Sequence, residues 1–245
     1  MSARSQRGTT LIELLIAVTL VSLLSVGIVT AMRVGLNAMT KANDKLIANR
    51  RIASVERIVQ AEVEGLMPLR TYCRATPEAQ GPEIEFFEGR HDEMRFVSSY
   101  SLQESGRGYP RVLEYRVIPG ERGEGVRLIV NELFYTGPAS LGLLCSGVEA
   151  DPQTGEPVPQ MRPAEASPAS FVLADRLGYC RIWYRETVPP PELERWTPEW
   201  RRGRWPSAIR IEMAPLASDT SRLQLSTITL PMRVQKVIGV NYEDR

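Results

Sequence analysis

An apolar run near the N-terminus limits what this chain can fold into. It extends from Leu11 to Met32 and carries a single charge, Glu13. This length matches the roughly 20 residues that a helix needs to cross a bilayer core, so the sequence predicts a transmembrane segment over about 10–32. A carboxylate within such a helix costs about 2.5–3.5 kcal/mol near the bilayer centre. Glu13 is therefore a candidate functional residue that needs a partner.

A short basic leader precedes the run and ends in Gly8, and Glu13 is the fifth residue after that glycine. This combination resembles the N-terminal signal of type IV pilin-like proteins, whose prepilin peptidase cuts after the glycine and methylates the new terminus. The resemblance implies a leader over 1–8, a cut between Gly8 and Thr9, and Thr9 as the methylated terminus. The family usually has phenylalanine where this chain has Thr9.

Cleavage would place a new amine one helical turn from Glu13, on the same face of the helix. In a filament core of low polarity, the carboxylate can pair with this amine or with that of a neighbouring subunit. We therefore expect Glu13 to be the charge-pairing residue of assembly. The alternative interpretations are an ordinary signal anchor with an incidental acid, and a cleaved secretory signal. The latter has its cleavage site after a shorter apolar region.

The charges beside the run predict its orientation. Arg4 and Arg7 precede it without an acid among them, so the positive-inside rule keeps the N-terminus in the cytoplasm. The residues after Met32 then lie in the periplasm. We expect a single-pass protein of the bacterial inner membrane, in contact with membrane lipid.

Composition and motifs indicate neither a nucleic-acid partner nor an enzyme. Lys and Arg number 30 against 29 Asp and Glu, a net charge of +1. The one histidine, His91, lies beside Asp92 in a predicted turn, where we expect a solvated side chain. No hydrolase, P-loop, dinucleotide-binding or zinc-protease motif is present, and no cofactor is expected.

Three cysteines are present, namely Cys73, Cys145 and Cys180. An oxidising periplasm permits one disulfide and leaves one thiol, and the sequence does not choose among the three pairings. Without a CxxC motif or a Cys/His cluster, a zinc site has no support.

The helical pattern continues beyond the membrane segment and predicts one helix over 9–65, on the order of 80 Å long. Its apolar residues recur every three or four positions, at Ile52, Val55, Val59 and Val63. Charged residues, including Glu62, occupy the positions between them and predict a polar face. Gly65, with Pro68 just beyond it, predicts the end of the helix.

The remainder, residues 66–245, is predicted to be a periplasmic head rich in β-strands. The clearest strands are predicted at 84–87, 94–97, 112–118, 126–135, 179–185, 207–213 and 223–230. A Pro-rich loop is predicted over about 137–170. A second loop contains Trp196, Trp200 and Trp205 among several arginines. This composition is typical of a protein-binding surface. It also fits packing of the loop on a sheet, with arginine stacked on tryptophan, which is the interpretation that we favour.

The order of these elements resembles the J-type minor pseudopilins of type II secretion systems. The matching pieces are residues 52–58, 94–98, 112–117 and 205–211. The resemblance implies an α+β, type IV pilin-like fold: a long N-terminal helix, transmembrane in its first half, packed on an antiparallel head of two small sheets. The Pro-rich and Trp-rich loops depart from the compact family pattern.

The resemblance also implies a structural role. J-type subunits join I-type and K-type minor pseudopilins at the tip of a periplasmic pseudopilus. There they prime the major pseudopilin on an inner-membrane assembly platform, for export of folded proteins across the outer membrane. A minor pilin of a type IV pilus, for motility, adhesion or DNA uptake, is the first alternative. A membrane-anchored periplasmic enzyme or binding protein is the second.

Overall fold

A 54-residue helix, α1 (Leu11–Glu64), begins the part of the chain that this computed structural model describes. The described residues are 10–73, 81–151, 155, 157–200, 205–217 and 227–232, except for the side chains of Ala48 and Arg51. The chain divides into two compact units, residues 1–50 and 51–245. The first contains the apolar part of α1, and the second contains the end of α1 and the strands.

Helix α1 ends at Glu64, directly before Gly65, as the sequence predicts. The amide of Gly65 donates to the carbonyl of Ala61 at 2.9 Å. A Cβ atom on Gly65 would lie 2.7 Å from the hydroxyl of Ser98. Glycine therefore allows the chain to leave the helix in close contact with a strand, and the Ser98 hydroxyl donates to the carbonyl of Glu62 at 2.8 Å.

The strands that follow in the described ranges pair antiparallel throughout. Their bounds are β1 (Arg70–Tyr72), β2 (Glu83–Glu85), β3 (Glu88–Gly89), β4 (Glu93–Ser101), β5 (Gly106–Pro119), β6 (Val126–Phe134), β7 (Cys145–Ala150), β8 (Pro157–Met161), β9 (Phe171–Thr187), β10 (Glu194–Thr197), β11 (Ala208–Pro215) and β12 (Ile228–Pro231). A short helix, α2 (Pro138–Gly142), precedes β7.

Eight of these strands form one sheet in the order β12-β11-β9-β6-β5-β4-β3, with β10 paired to β9. Two further pairs, β1–β2 and β7–β8, form two-stranded sheets. The predicted α+β class, a long apolar helix followed by antiparallel sheets, is confirmed. The prediction of two small sheets is wrong, because β9 is 17 residues long and joins the early strands to the late ones in one sheet.

The main core lies between the end of α1 and the large sheet. Val55, Val59 and Val63 are buried there, as their spacing predicts. The sheet contributes apolar and aromatic residues that include Phe96, Leu113, Tyr115, Ile182 and Ile211. Full burial of one valine side chain stabilises the fold by roughly 1.5–3 kcal/mol, so the three valines help to hold the end of α1 against the sheet.

The Pro-rich region differs from the loop that its composition predicts. It contains α2 and the β7–β8 hairpin, and residues 162–170 follow without regular structure. Among the described strands, β7 and β8 form a sheet of two, so each is an edge strand, where the missing amide of a proline is tolerated. The hairpin packs on a second, smaller core formed by residues such as Ile84, Phe86 and Leu141.

A disulfide between Cys73 and Cys145 connects the end of β1 to the start of this hairpin, with the two Cα atoms 5.4 Å apart. It closes a loop between positions 72 residues apart in the sequence. Cys180 is a buried free thiol. Burial raises the pKa of the Cys180 thiol to about 12, so it remains protonated at neutral pH.

We expect Cys145→Ser to lower the free energy of unfolding by about 4 kcal/mol, because the disulfide constrains a long loop in the unfolded chain. Denaturant unfolding, followed by tryptophan fluorescence, measures the loss. Cys180→Ala is the control, since it retains the disulfide. A reductant should destabilise the control and leave Cys145→Ser unchanged; equal sensitivity of the two variants would contradict the pairing.

A buried charge network fastens the segment after β8 to the sheet. Arg95, which is 1% exposed, donates to Glu88 at 2.6 Å, to Glu114 at 2.8 Å and to Glu93 at 3.3 Å. It also donates to the carbonyl of Arg162 at 2.8 Å. Burial raises the pKa of Glu88 to about 7, although Arg95 opposes that shift. These bonds satisfy groups that would otherwise be costly to bury.

Candidate assembly segment

The first turn of α1 sets the position of Glu13. Thr10 caps the helix: its carbonyl accepts from the amides of Glu13 at 3.1 Å and Leu14 at 3.2 Å. The Thr10 hydroxyl accepts from the Glu13 amide at 3.4 Å. The Glu13 carboxylate lies in the first turn, where the helix dipole favours negative charge. Its side chain is exposed.

Apolar side chains surround α1 on all sides through its first half. Every large apolar residue from Leu11 to Met39 is more than half exposed, with Leu11 at 84% and Ile16 and Val29 lowest at 51%. Soluble monomers rarely expose contiguous apolar patches of this size. By length and composition, α1 qualifies as a membrane-crossing helix. This surface requires lipid or other chains to cover it.

The hydroxyl groups in this segment bond within the helix. Thr19, Ser22 and Ser25 each donate to a carbonyl three or four residues earlier, all at 2.8 Å. Thr30 donates to the carbonyls of Val26 and Gly27, both at 2.9 Å. These groups therefore add little cost to an apolar environment. Unlike these hydroxyl groups, the Glu13 carboxylate needs a partner from outside the helix.

Gly27 contacts no other part of the chain among the residues that the structure describes. A Cβ atom built on it would meet nothing within 4 Å, and the same holds for Gly35. Each glycine weakens the helix by roughly 1 kcal/mol relative to alanine. The fold of the described residues thus gives no reason for either glycine.

Residues 3–29 match the family model of the prokaryotic N-terminal methylation motif. This match supports a type IV pilin-like protein. It covers the predicted leader and the first turns of α1, and the helix then leads to antiparallel sheets in a pilin-like architecture. No curated protein matches the chain. The match is consistent with a membrane-anchored protein.

The predicted site residues fall in different parts of the chain. Gly8 and Thr9, the predicted cleavage positions, lie outside the described residues. Glu13 lies at the start of α1, in the first unit. His91 is 61% exposed, with its Nδ1 atom 3.7 Å from Asp92, as expected of a solvated turn. No cluster of metal-ligating side chains occurs in the portion of the chain described.

The Trp-rich loop packs on the sheet, in agreement with the packing interpretation. Trp200 is buried, with its ring centre 6.5 Å from that of Tyr184. Its amide donates to the carbonyl of Gly89 at 2.8 Å. The guanidinium of Arg210 lies 3.8 Å from the centre of the Trp196 ring. Arg201, Arg202 and Arg204, which the alternative also uses, lie outside the described residues.

Glu62 is one of the buried polar residues that sequence reasoning missed. Its predicted place on a polar face is wrong, because Glu62 is fully buried and accepts a hydrogen bond from the hydroxyl of Tyr115 on β5. Its spacing carried a signal: Glu62 follows Val55 by seven residues and Val59 by three, so it lies close to the apolar stripe. Because glutamate is usually exposed, the residue type predicts a polar face in spite of this spacing.

Proposed function

We propose that this protein is a minor pseudopilin of the J type in a type II secretion system. As a subunit of the pseudopilus tip, it primes the filament that exports folded proteins across the outer membrane. One observation carries the proposal: the methylation motif over 3–29 leads into a helix whose first half is apolar and exposed on all sides and bears one carboxylate.

The exposed helix supports assembly rather than anchoring alone. An anchor needs an apolar surface, but it gains nothing from a carboxylate at Glu13. A subunit that leaves lipid for a filament gains a charge pair between Glu13 and the amine of mature Thr9 in a neighbour. Because both groups are deprived of water there, the pair favours one stagger between subunits.

The head supports a minor rather than a major subunit. Its eight-stranded sheet, disulfide-linked hairpin and second core make it larger than a typical major pilin head. Under this proposal, the N-terminus is cytoplasmic and the head periplasmic. The partners are the prepilin peptidase, the inner-membrane platform, the major pseudopilin, and the I-type and K-type minor pseudopilins.

Copurification from detergent-solubilised membranes tests the assignment. The tagged mature chain is coexpressed with the pseudopilins of the type II system and, separately, with the minor pilins of a type IV pilus from the same bacterium. We expect the I-type and K-type pseudopilins to copurify. Recovery with type IV pilus subunits alone would assign the protein to the pilus, and recovery with neither set would contradict both filament roles.

A further inference from the structure

The last turns of α1 contain a carboxyl group that is buried against the sheet. Glu62 is fully buried, and the hydroxyl of Tyr115 donates to its Oε2 atom. Its Oε1 atom is also buried and has no hydrogen-bond partner. In the described part of the chain, no Lys or Arg forms an ion pair with Glu62.

The surroundings of Glu62 disfavour a negative charge in two further ways. The residue lies in the last turn of α1, which has no basic side chain, and the helix dipole is negative at that end. From the sheet, Glu132 on β6 adds a second acid, which accepts hydrogen bonds from the Ser101 hydroxyl at 2.7 Å and from the amide of Leu102. Tyr115 on β5 is a second titratable group that faces Glu62, and the hydroxyl of Ser98 on β4 donates to the Glu62 carbonyl.

The neutral acid fits this site and the carboxylate does not. In the neutral form, Oε2 accepts the hydrogen bond from Tyr115, and the proton is carried by Oε1. A buried hydroxyl without a partner costs far less than a buried charge without a cation. Burial raises the pKa of Glu62 to about 8; the hydrogen bond from Tyr115 lowers it in part, and the charge of Glu132 adds to the rise.

We propose that the end of α1 is held on the head by a proton-dependent latch. Glu62 packs against Tyr115 as a neutral acid, and loss of its proton loosens the last turns of the helix from the sheet. The latch would make the attachment of the last turns of α1 to the sheet responsive to the pH of the compartment around the head. It depends only on contacts within residues 51–245, so it stands or falls separately from the secretion role.

The direction of the pH effect follows from proton linkage. In the unfolded chain, Glu62 ionises near its ordinary pKa of 4.5. Between about pH 4.5 and about pH 8, the folded state therefore holds a proton that the unfolded state has lost. The contribution of Glu62 to the free energy of unfolding is fully present below about pH 4.5, and it is lost as the pH rises to about 8. The unfolding constant rises by up to about tenfold per pH unit and levels off above about pH 8.

The test compares Glu62→Gln with Glu56→Gln in the full mature chain in detergent micelles. Both variants remove one acid from α1, but Glu56 is exposed. Denaturant unfolding is followed by tryptophan fluorescence from about pH 5 to about pH 9. The tryptophans all lie in the head, and Glu88, whose pKa is also raised, is present in both variants.

We expect Glu56→Gln to retain the pH dependence of the wild type. In Glu62→Gln, the change in the unfolding constant across the window should be at least about tenfold smaller than in Glu56→Gln or the wild type. Trypsin cleavage after the exposed Arg57 reports the loosening itself. The ratio of the wild-type cutting rate to the Glu62→Gln cutting rate should rise several-fold between about pH 6 and about pH 9. Identical pH profiles of the two variants would overturn the latch.

A second variant and a spectroscopic measurement keep the test decisive if Glu62→Gln does not fold. Tyr115→Phe removes the bond that lowers the Glu62 pKa, so the fall in stability should extend to higher pH. In the wild type, infrared spectroscopy should detect a buried protonated carboxyl near pH 6, and in Tyr115→Phe part of this band should persist to higher pH. Glu88, whose pKa is also raised, contributes to the band in both proteins, so the difference between them belongs to Glu62. An unshifted profile in Tyr115→Phe, or an absent carboxyl band near pH 6, would overturn the proposal.

Discussion

Replacing Gly8 with valine should abolish removal of the leader. The peptidase that the N-terminal motif implies cuts directly after this glycine, and a branched side chain at that position obstructs approach of the peptide bond to the active site. Intact-mass analysis of protein from membranes measures the effect. The wild type should lack residues 1–8, whereas Gly8→Val should retain them in essentially every molecule.

The matched control for this prediction is Ser5→Val, which places the same side chain in the leader three residues before Gly8. It should be processed like the wild type. A mature mass from Gly8→Val would contradict cleavage at this position. An uncleaved Ser5→Val would mean that the leader tolerates no bulk at all, and the effect at Gly8 would then not locate the cut.

Glu13→Gln should leave cleavage intact and prevent incorporation into a complex with other pseudopilins. Glutamine preserves size and hydrogen bonding, so the variant removes only the charge. Leaving one member of a buried ion pair unpaired costs about 3–5 kcal/mol, which corresponds to more than tenfold in assembly. The yield of copurified pseudopilins per tagged subunit should fall by at least about tenfold.

Glu56→Gln again supplies the control, since it removes an exposed acid from the same helix and should copurify at the wild-type yield. Glu13→Ala should resemble Glu13→Gln if the charge is what matters. Recovery of either Glu13 variant with partners at the wild-type yield would refute the charge-pairing role. It would leave the membrane helix as a simple anchor.

The sequence predicts the helix well because helical periodicity is a local property. The stripe of Val55, Val59 and Val63 indicates which face is buried, and Gly65 with Pro68 marks the end. Alternation and turn residues also predict several strands of the large sheet, namely β4, β5, β6, β11, β12 and the second half of β9, but not the β7–β8 hairpin. The grouping of these strands into one large sheet was not predicted, because it depends on the long strand β9 pairing with both β6 and β11, which are distant in the sequence.

The buried polar groups of the head could not be predicted from composition. Arg95 lies in β4, where apolar and polar residue types are mixed. Its carboxylate partners come from β3, β4 and β5. Glu62 meets Tyr115 across 53 residues of sequence. Such pairs become visible only when the sheet register is known, because a charged residue type by itself predicts exposure. The Cys73–Cys145 pairing has the same origin.

The N-terminus of the protein isolated from its native membrane tests the central claim most directly. Mass spectrometry of the intact chain and of its N-terminal peptide identifies both the first residue and its modification. We predict a chain that begins at Thr9 and carries one methyl group on its amine. A chain that still begins at Met1 would contradict the account, because Glu13 would then have no new amine with which to pair.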